Sequence, residues 1–195
     1  MAQTTALQQS RKYNGLMDWI TTVDHKKIGI LYLFSGIFFL LLGGIEALLI
    51  RWQLVRPMND FVSGETFNQL ITMHGTTMIF LAAMPMLFGF MNAVVPLQIG
   101  ARDVAFPFIN SLGFWLFFFG GVMLNLSWFF GAAPNAGWTA YAPLSTQPEA
   151  TGVDFYALGL QISGFGSLMA GINFLVTILN MRAPGMKLMR MPLFT

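Results

Sequence analysis

Four long stretches of this chain carry almost no charge, and short polar segments separate them. The first, 28–50, reads IGILYLFSGIFFLLLGGIEALLI, with Glu46 as its only charged side chain. The second, about 70–97, lies within the interval between Glu65 and Arg102, where His74 is the only acid or base. The third covers about 108–131 and the fourth about 155–181. Each reaches or exceeds the ~20 apolar residues that carry a helix across a bilayer. The pattern predicts an all-α integral membrane fold with four transmembrane helices. Pro85 predicts a kink in the second. Phe114, Trp115, Phe117, Phe118 and Phe119 crowd the third as lipid-facing or interlocking aromatic surface. The fourth has Gly159, Ser163, Ser167 and Gly171 at every fourth position, a stripe that lets another helix approach closely.

Composition agrees with the pattern. Hydrophobic residues make up 55% and charged ones 9%, where soluble chains carry about 25% charge. Mean hydropathy is +0.64. The net charge of +2 therefore requires no nucleic-acid partner. Its basic residues flank apolar runs, where they orient a membrane protein. The absence of cysteine excludes disulfides and thiolate metal sites within the chain. The polar N-terminus has no short apolar core or small-residue cleavage site, so it does not read as a signal peptide.

Four spans place both termini on one side. Eight of the ten Lys and Arg lie in segment 1–27, in the turn at Arg102, or in 182–195. Arg51 and Arg56 are the other two, in the opposite loop. The positive-inside rule predicts cytoplasmic termini and a cytoplasmic Asp103. His74 and Arg51 then lie near the outer face. Asn92, 18 residues beyond His74, would sit about 27 Å away along a helix, near the inner face.

Polar groups at membrane depth are the candidate chemistry, because burying them in lipid is costly. His74 reads either as a histidine bonded to a neighbouring helix or as an axial haem ligand. Arg51 reads as an interfacial anchor or as a guanidinium that bonds a buried cofactor. Asp103 reads as a turn residue paired with Arg102, or as a proton collector. In the latter case Asn92, Asn110, Ser167 and Asn173 could order a water chain, though interhelical hydrogen bonding would employ the same residues. His25, beside Lys26 and Lys27, reads as a solvated surface residue.

Several segments carry a family resemblance: HGTTMIF, VPLQIGARDVAFPFIN, AGWTAY, GINF, TILNMRAPGM and LMRMPLFT. In order and spacing, from about Thr21 to Thr195, they resemble the catalytic subunit I of haem–copper oxidases, bacterial cytochrome c oxidases of the Bacillus kind above all. The resemblance implies that His74 is one of two axial ligands of a low-spin haem a. It implies that Arg51 bonds the haem formyl group and that Asp103 opens the proton-uptake path. Asn92, Asn110, Ser167 and Asn173 match polar positions along that path. Trp138 falls where the family meets its copper-bearing subunit II. Subunit III and cytochrome c are implied as further partners, in a bacterial plasma membrane.

The resemblance also implies a twelve-helix bundle, of which these four spans are the first third. Segment 182–195 would lead to a fifth span, and the remaining helices of subunit I would carry the second haem and the copper. The 195 residues alone are accordingly expected neither to bind haem stably nor to reduce oxygen. Two features depart from relatives. Gln53 stands where many have an acid, which puts their outer cation site in doubt. Quinol oxidases place Arg, Asp, His and Gln at positions matching Leu42, Glu46, Thr66 and Gln69, so the cation and imidazole are missing here, which favours cytochrome c over quinol as donor. A channel or transporter would show paired intramembrane charges or broken half-helices in repeated halves, which this chain lacks. A non-catalytic membrane anchor is the remaining class.

Overall fold

The computed structural model describes residues 15–130, 133–146 and 152–195. Parts of the segments 1–27 and 108–131 read from the sequence therefore lie outside the described residues. A short helix, α1 (Leu16–Ile20), precedes α2 (His25–Gln53). Next come α3 (Gly64–Thr76), a π-helical stretch (Thr77–Ala83) and α4 (Met84–Gln98), then α5 (Pro107–Leu126) and α6 (Val153–Asn180). The segment Gly64–Gln98 is one unbroken helix, so among the described residues four helices are long and apolar enough to cross a membrane.

The observed ends differ from the apolar limits for local reasons. Helix α2 starts at His25 because Asp24 caps it, its carboxylate accepting from the Lys26 amide at 2.9 Å. Lys27, inside the helix, pairs with Asp18 of α1 at 2.6 Å. Ser63 caps α3 in the same way, accepting from Thr66 N at 3.1 Å. Helix α5 ends at Leu126, where the Ser127, Trp128 and Phe129 amides bond back by three residues.

At Pro85 the helix does not break. A proline ring crowds the carbonyl four residues back and offers no amide. The seven-residue π-helical stretch Thr77–Ala83 ends just before Pro85 and widens the turn there, which accommodates both effects.

Small residues bring the helices together. A Cβ on Gly29 of α2 would lie 2.9 Å from the Gly89 carbonyl of α4. One on Gly120 of α5 would lie 2.6 Å from Ser163 N and 2.7 Å from Gly159 O of α6. Half of the fourth-span stripe is thus occupied from within the chain. Ser167 and Gly171 lie outside this contact, in a groove with Leu168, Ile172 and Leu175. Between the helices, Tyr32, Phe39, Phe114 and Phe117 form a buried aromatic core. The Tyr32 and Phe114 rings meet edge to face at 5.0 Å. Phe119 turns outward, so the aromatic run serves both expected purposes.

Gly120→Ile is expected to cost at least about 1–3 kcal/mol by forcing α5 and α6 apart. Gly164→Ile, where a Cβ meets nothing within 4 Å, is the matched control. Comparing their thermal unfolding in detergent checks the prediction, and equal midpoints would refute it.

Candidate functional site

The chemistry-bearing residues gather at the two ends of the second span. At one end stands half-buried His74, in α3. Its Nδ1 lies 2.9 Å from the Gly43 carbonyl of α2. A carbonyl only accepts, so Nδ1 carries the proton, and the Nε2 of the neutral ring keeps its lone pair. The bond to a neighbouring helix therefore occupies one nitrogen, and the other has no hydrogen-bond partner among the described residues. A Cβ on the adjacent Gly44 would meet nothing within 4 Å, which leaves that face of α2 bare. Arg51 follows seven residues later, on the same face and about 10 Å further along the axis. It is exposed and makes no ion pair with the described residues.

Trp138 joins this end from the loop after α5. A Cβ on Gly75, the neighbour of His74, would touch the Trp138 side chain at 3.5 Å. The indole also packs on Phe80, with ring centroids 6.2 Å apart. Two bonds hold the loop: Gly137 N donates to Thr72 Oγ1 at 2.9 Å, and the Tyr156 hydroxyl donates to the Trp138 carbonyl. The donor set at this end fits a planar iron cofactor. It offers one neutral imidazole nitrogen, a glycine face that admits a flat ring, and a free guanidinium for a polar ring substituent.

At the other end, Asp103 is half-buried beside an open depression of about 450 Å³. Asp24, His25, Lys26, Arg102 and Met181 share its lining. No Asp103–Arg102 ion pair forms among the described residues. Asp103 Oδ1 instead accepts from the Val104 amide at 2.8 Å. His25 corrects the sequence reading. It is buried, 3% exposed, and its Nδ1–H donates to the Asn92 carbonyl at 2.7 Å. Asn92 is fully buried, and its Oδ1 accepts from Asn110 Nδ2 at 2.6 Å. One turn beyond Asn110, Phe114 packs against Tyr32, whose buried hydroxyl has no protein partner. Asn110 Oδ1 also has none. Hydrogen bonds thus link His25, Asn92 and Asn110 inward from the depression, and Tyr32 lies two turns beyond His25 on the buried face of α2.

The other two residues read for that path sit differently. The Asn173 amide is engaged on both sides by Phe106, accepting from its N at 2.8 Å and donating to its O at 3.2 Å. It anchors the approach to α5. The Ser167 hydroxyl donates to carbonyls of its own helix, Ser163 O at 3.1 Å or Gly164 O at 3.2 Å. The structure does not join either residue to the Asn92–Asn110 pair by a hydrogen bond.

Sequence reasoning misread His25 as solvated and overlooked Tyr32, although one signal marked both. His25, Ile28, Tyr32, Ser35, Phe39, Gly43 and Glu46 are all buried and recur every three or four residues along α2. His25 opens that stripe, and its lysine neighbours obscure it.

An apolar cavity of about 400 Å³ lies among α2, α3 and the end of α5. Leu42, Glu46, Thr66, Asn125 and Trp128 are among its lining residues. Gln69 is buried nearby on α3.

Comparison with known proteins places residues 27–195 within the sequence profile described as cytochrome c and quinol oxidase polypeptide I. The chain is 71% identical over 181 residues to cytochrome c oxidase subunit 1 of Bacillus sp. (strain PS3), covering 92% of this chain and 29% of that protein. It is 67% identical over 191 residues to cytochrome c oxidase subunit 1 of Bacillus subtilis, covering 97% of this chain and 31% of the relative. Quinol oxidase subunit 1 of Bacillus subtilis is 55% identical over 180 residues, covering 91% of this chain and 28% of that protein. The chain thus spans less than a third of the length of these relatives.

Proposed function

Because this chain belongs to the cytochrome c and quinol oxidase polypeptide I family, we propose that it forms the N-terminal part of subunit I of a terminal respiratory oxidase. The complete enzyme reduces oxygen to water with electrons from cytochrome c and pumps protons across the membrane. One observation carries the reading: His74 donates through Nδ1 to Gly43 O and so keeps Nε2 free for a metal. His74 holds the low-spin haem a, and Arg51 bonds its formyl group. An iron porphyrin held there supplies one-electron transfer. The residues that hold the second haem and the copper lie in the remaining helices of subunit I.

Trp138, fixed beside Gly75, faces the copper-bearing subunit II, and subunit III completes the complex. Asp103 collects protons at the cytoplasmic face. His25, Asn92, Asn110 and Tyr32 order the waters that carry them inward, with Asn173 and Ser167 on α6 lining the same path. The setting is a bacterial plasma membrane with both termini cytoplasmic. The 195 residues alone supply one haem ligand and bind no haem stably.

Greater identity to cytochrome c oxidases than to quinol oxidases supports cytochrome c as donor. The cavity lined by Leu42, Glu46 and Thr66 favours a second reading, a quinol oxidase. Against it, an apolar leucine and a threonine supply neither the cation nor the imidazole that would hold a quinone carbonyl. Oxygen uptake by the complete complex decides between the two. It is expected with reduced cytochrome c and absent with menaquinol, and the opposite result would establish the second reading.

Orientation has its own test, since the chain contains no cysteine. A cysteine at exposed Thr139 is expected to react with an impermeant maleimide added to intact cells. One at exposed Arg102 is expected to react only after lysis. The reverse pattern would invert the topology.

A further inference from the structure

The end of α2 that carries Arg51 is closed by a reciprocal pair of side-chain amides. A helix leaves its last four carbonyls without helical partners. Here Leu54 N reaches Ile50 O at 3.3 Å, and Val55 N reaches Trp52 O at 3.3 Å. Asn59 Nδ2 donates to both Trp52 O, at 2.9 Å, and Gln53 O, at 3.1 Å. Gln53 returns the contact: its Nε2 donates to Asn59 O at 2.5 Å, and its Oε1 accepts from Val62 N at 2.9 Å. Four side-chain bonds therefore fold the loop 54–62 back over the last turn of α2. Arg51 lies in that turn, adjacent to Trp52.

We propose that Gln53 and Asn59 form a cation-free clamp that positions the Arg51 guanidinium for its haem substituent. The inference rests on the reading of Arg51 given above. A primary amide both donates and accepts, and Gln53 uses both functions at once. A carboxylate at the same place could accept from Val62 N but would set its second oxygen against the Asn59 carbonyl. Two facing oxygens need a hard cation between them, such as calcium, which takes carbonyl and carboxylate ligands. The NH2 group of Gln53 fills that role without a metal. The clamp acts on Arg51 through the backbone, so Gln53 and Asn59 are positioning residues.

The test uses the complete subunit in its assembled complex, with Gln53→Ala, Asn59→Ala, Gln53→Glu and Arg51→Lys, each in chelator and in calcium. It reads the visible absorption band of the low-spin haem and hydrogen exchange at the amides of 54–62. In the wild type neither readout is expected to respond to calcium. Gln53→Ala and Asn59→Ala are expected to move the band in the direction that Arg51→Lys moves it, with haem content unchanged. Exchange at the Val62 amide should rise about tenfold in Gln53→Ala, as one hydrogen bond is lost. Gln53→Glu should resemble Gln53→Ala in chelator and revert in calcium.

If Gln53→Ala yields no folded complex, Gln53→Glu and Asn59→Ala decide the matter. A calcium-sensitive wild-type band, or a Gln53→Glu variant indifferent to calcium, would overturn the cation-free clamp. Unmoved bands in Gln53→Ala and Asn59→Ala, alongside a shift in Arg51→Lys, would overturn the positioning role and leave the reading of Arg51 intact. No shift in Arg51→Lys would remove that reading and the proposal with it.

Discussion

Asp103→Asn in the complete enzyme is expected to leave folding and haem content normal while cutting turnover about tenfold or more and abolishing or sharply reducing proton pumping. The variant keeps the size of the side chain, and its carbonyl oxygen can still accept from Val104 N, a bond the carboxylate makes at 2.8 Å. What it removes is the negative charge at the mouth of the depression that also contains His25. Lys26 and Arg102 line the same depression, so the loss comes from removing a group that can take up and release a proton at its mouth, not from a net negative field. If Asp103 served only as a turn residue, the asparagine would perform nearly as well. Turnover and proton-to-electron ratio in reconstituted vesicles separate the cases, and wild-type values for both would make Asp103 structural.

The same depression shows where the sequence was legible and where it was not. The four spans follow from uncharged length, because a bilayer leaves few other uses for such runs. Asn92, Asn110, Ser167 and Asn173 were visible individually, because each is costly inside lipid. Their pairing was not, since it depends on how helices rotate against one another. Asn92 and Asn110 stand on different helices, and only the approach of those helices brings the two amides within 2.6 Å. His25 looked solvated because two lysines follow it, yet it faces Asn92 and the lysines do not. Asp103 and Arg102 are neighbours of opposite charge, and their pairing seemed natural. The Val104 amide claims the carboxylate instead. Pro85 was read as a kink; the helix runs on through it, with the widened π-helical turns of Thr77–Ala83 just before. Asn173 was read for a water path, and its amide clamps the Phe106 backbone as well.

His74→Ala in the complete enzyme is expected to remove the low-spin haem signal and lower turnover with cytochrome c by more than about a hundredfold. Loss of an outer-shell partner to a metal ligand typically costs 10–100-fold, and loss of the ligand itself should exceed it. The structure sharpens the expectation, because the partner of His74 is a backbone carbonyl, Gly43 O, which no substitution removes directly. Gly43 is also a tight position for a larger side chain. A Cβ there would lie 2.9 Å from the Met78 sulfur and 3.3 Å from Thr77 Cγ2, so a branched substitution must displace the Met78 side chain and crowd Thr77 of the π-helical stretch. Gly43→Val is therefore expected to disturb the same signal less severely, by displacing the acceptor that fixes the imidazole. Carbon monoxide binding at the second haem should persist in His74→Ala, since its ligands are proposed to lie elsewhere in subunit I. That persistence distinguishes a lost ligand from a collapsed fold. An unchanged low-spin spectrum in His74→Ala would exclude His74 as the ligand. It would leave the bond to Gly43 O as an interhelical contact, worth about 1 kcal/mol to the packing of α2 on α3.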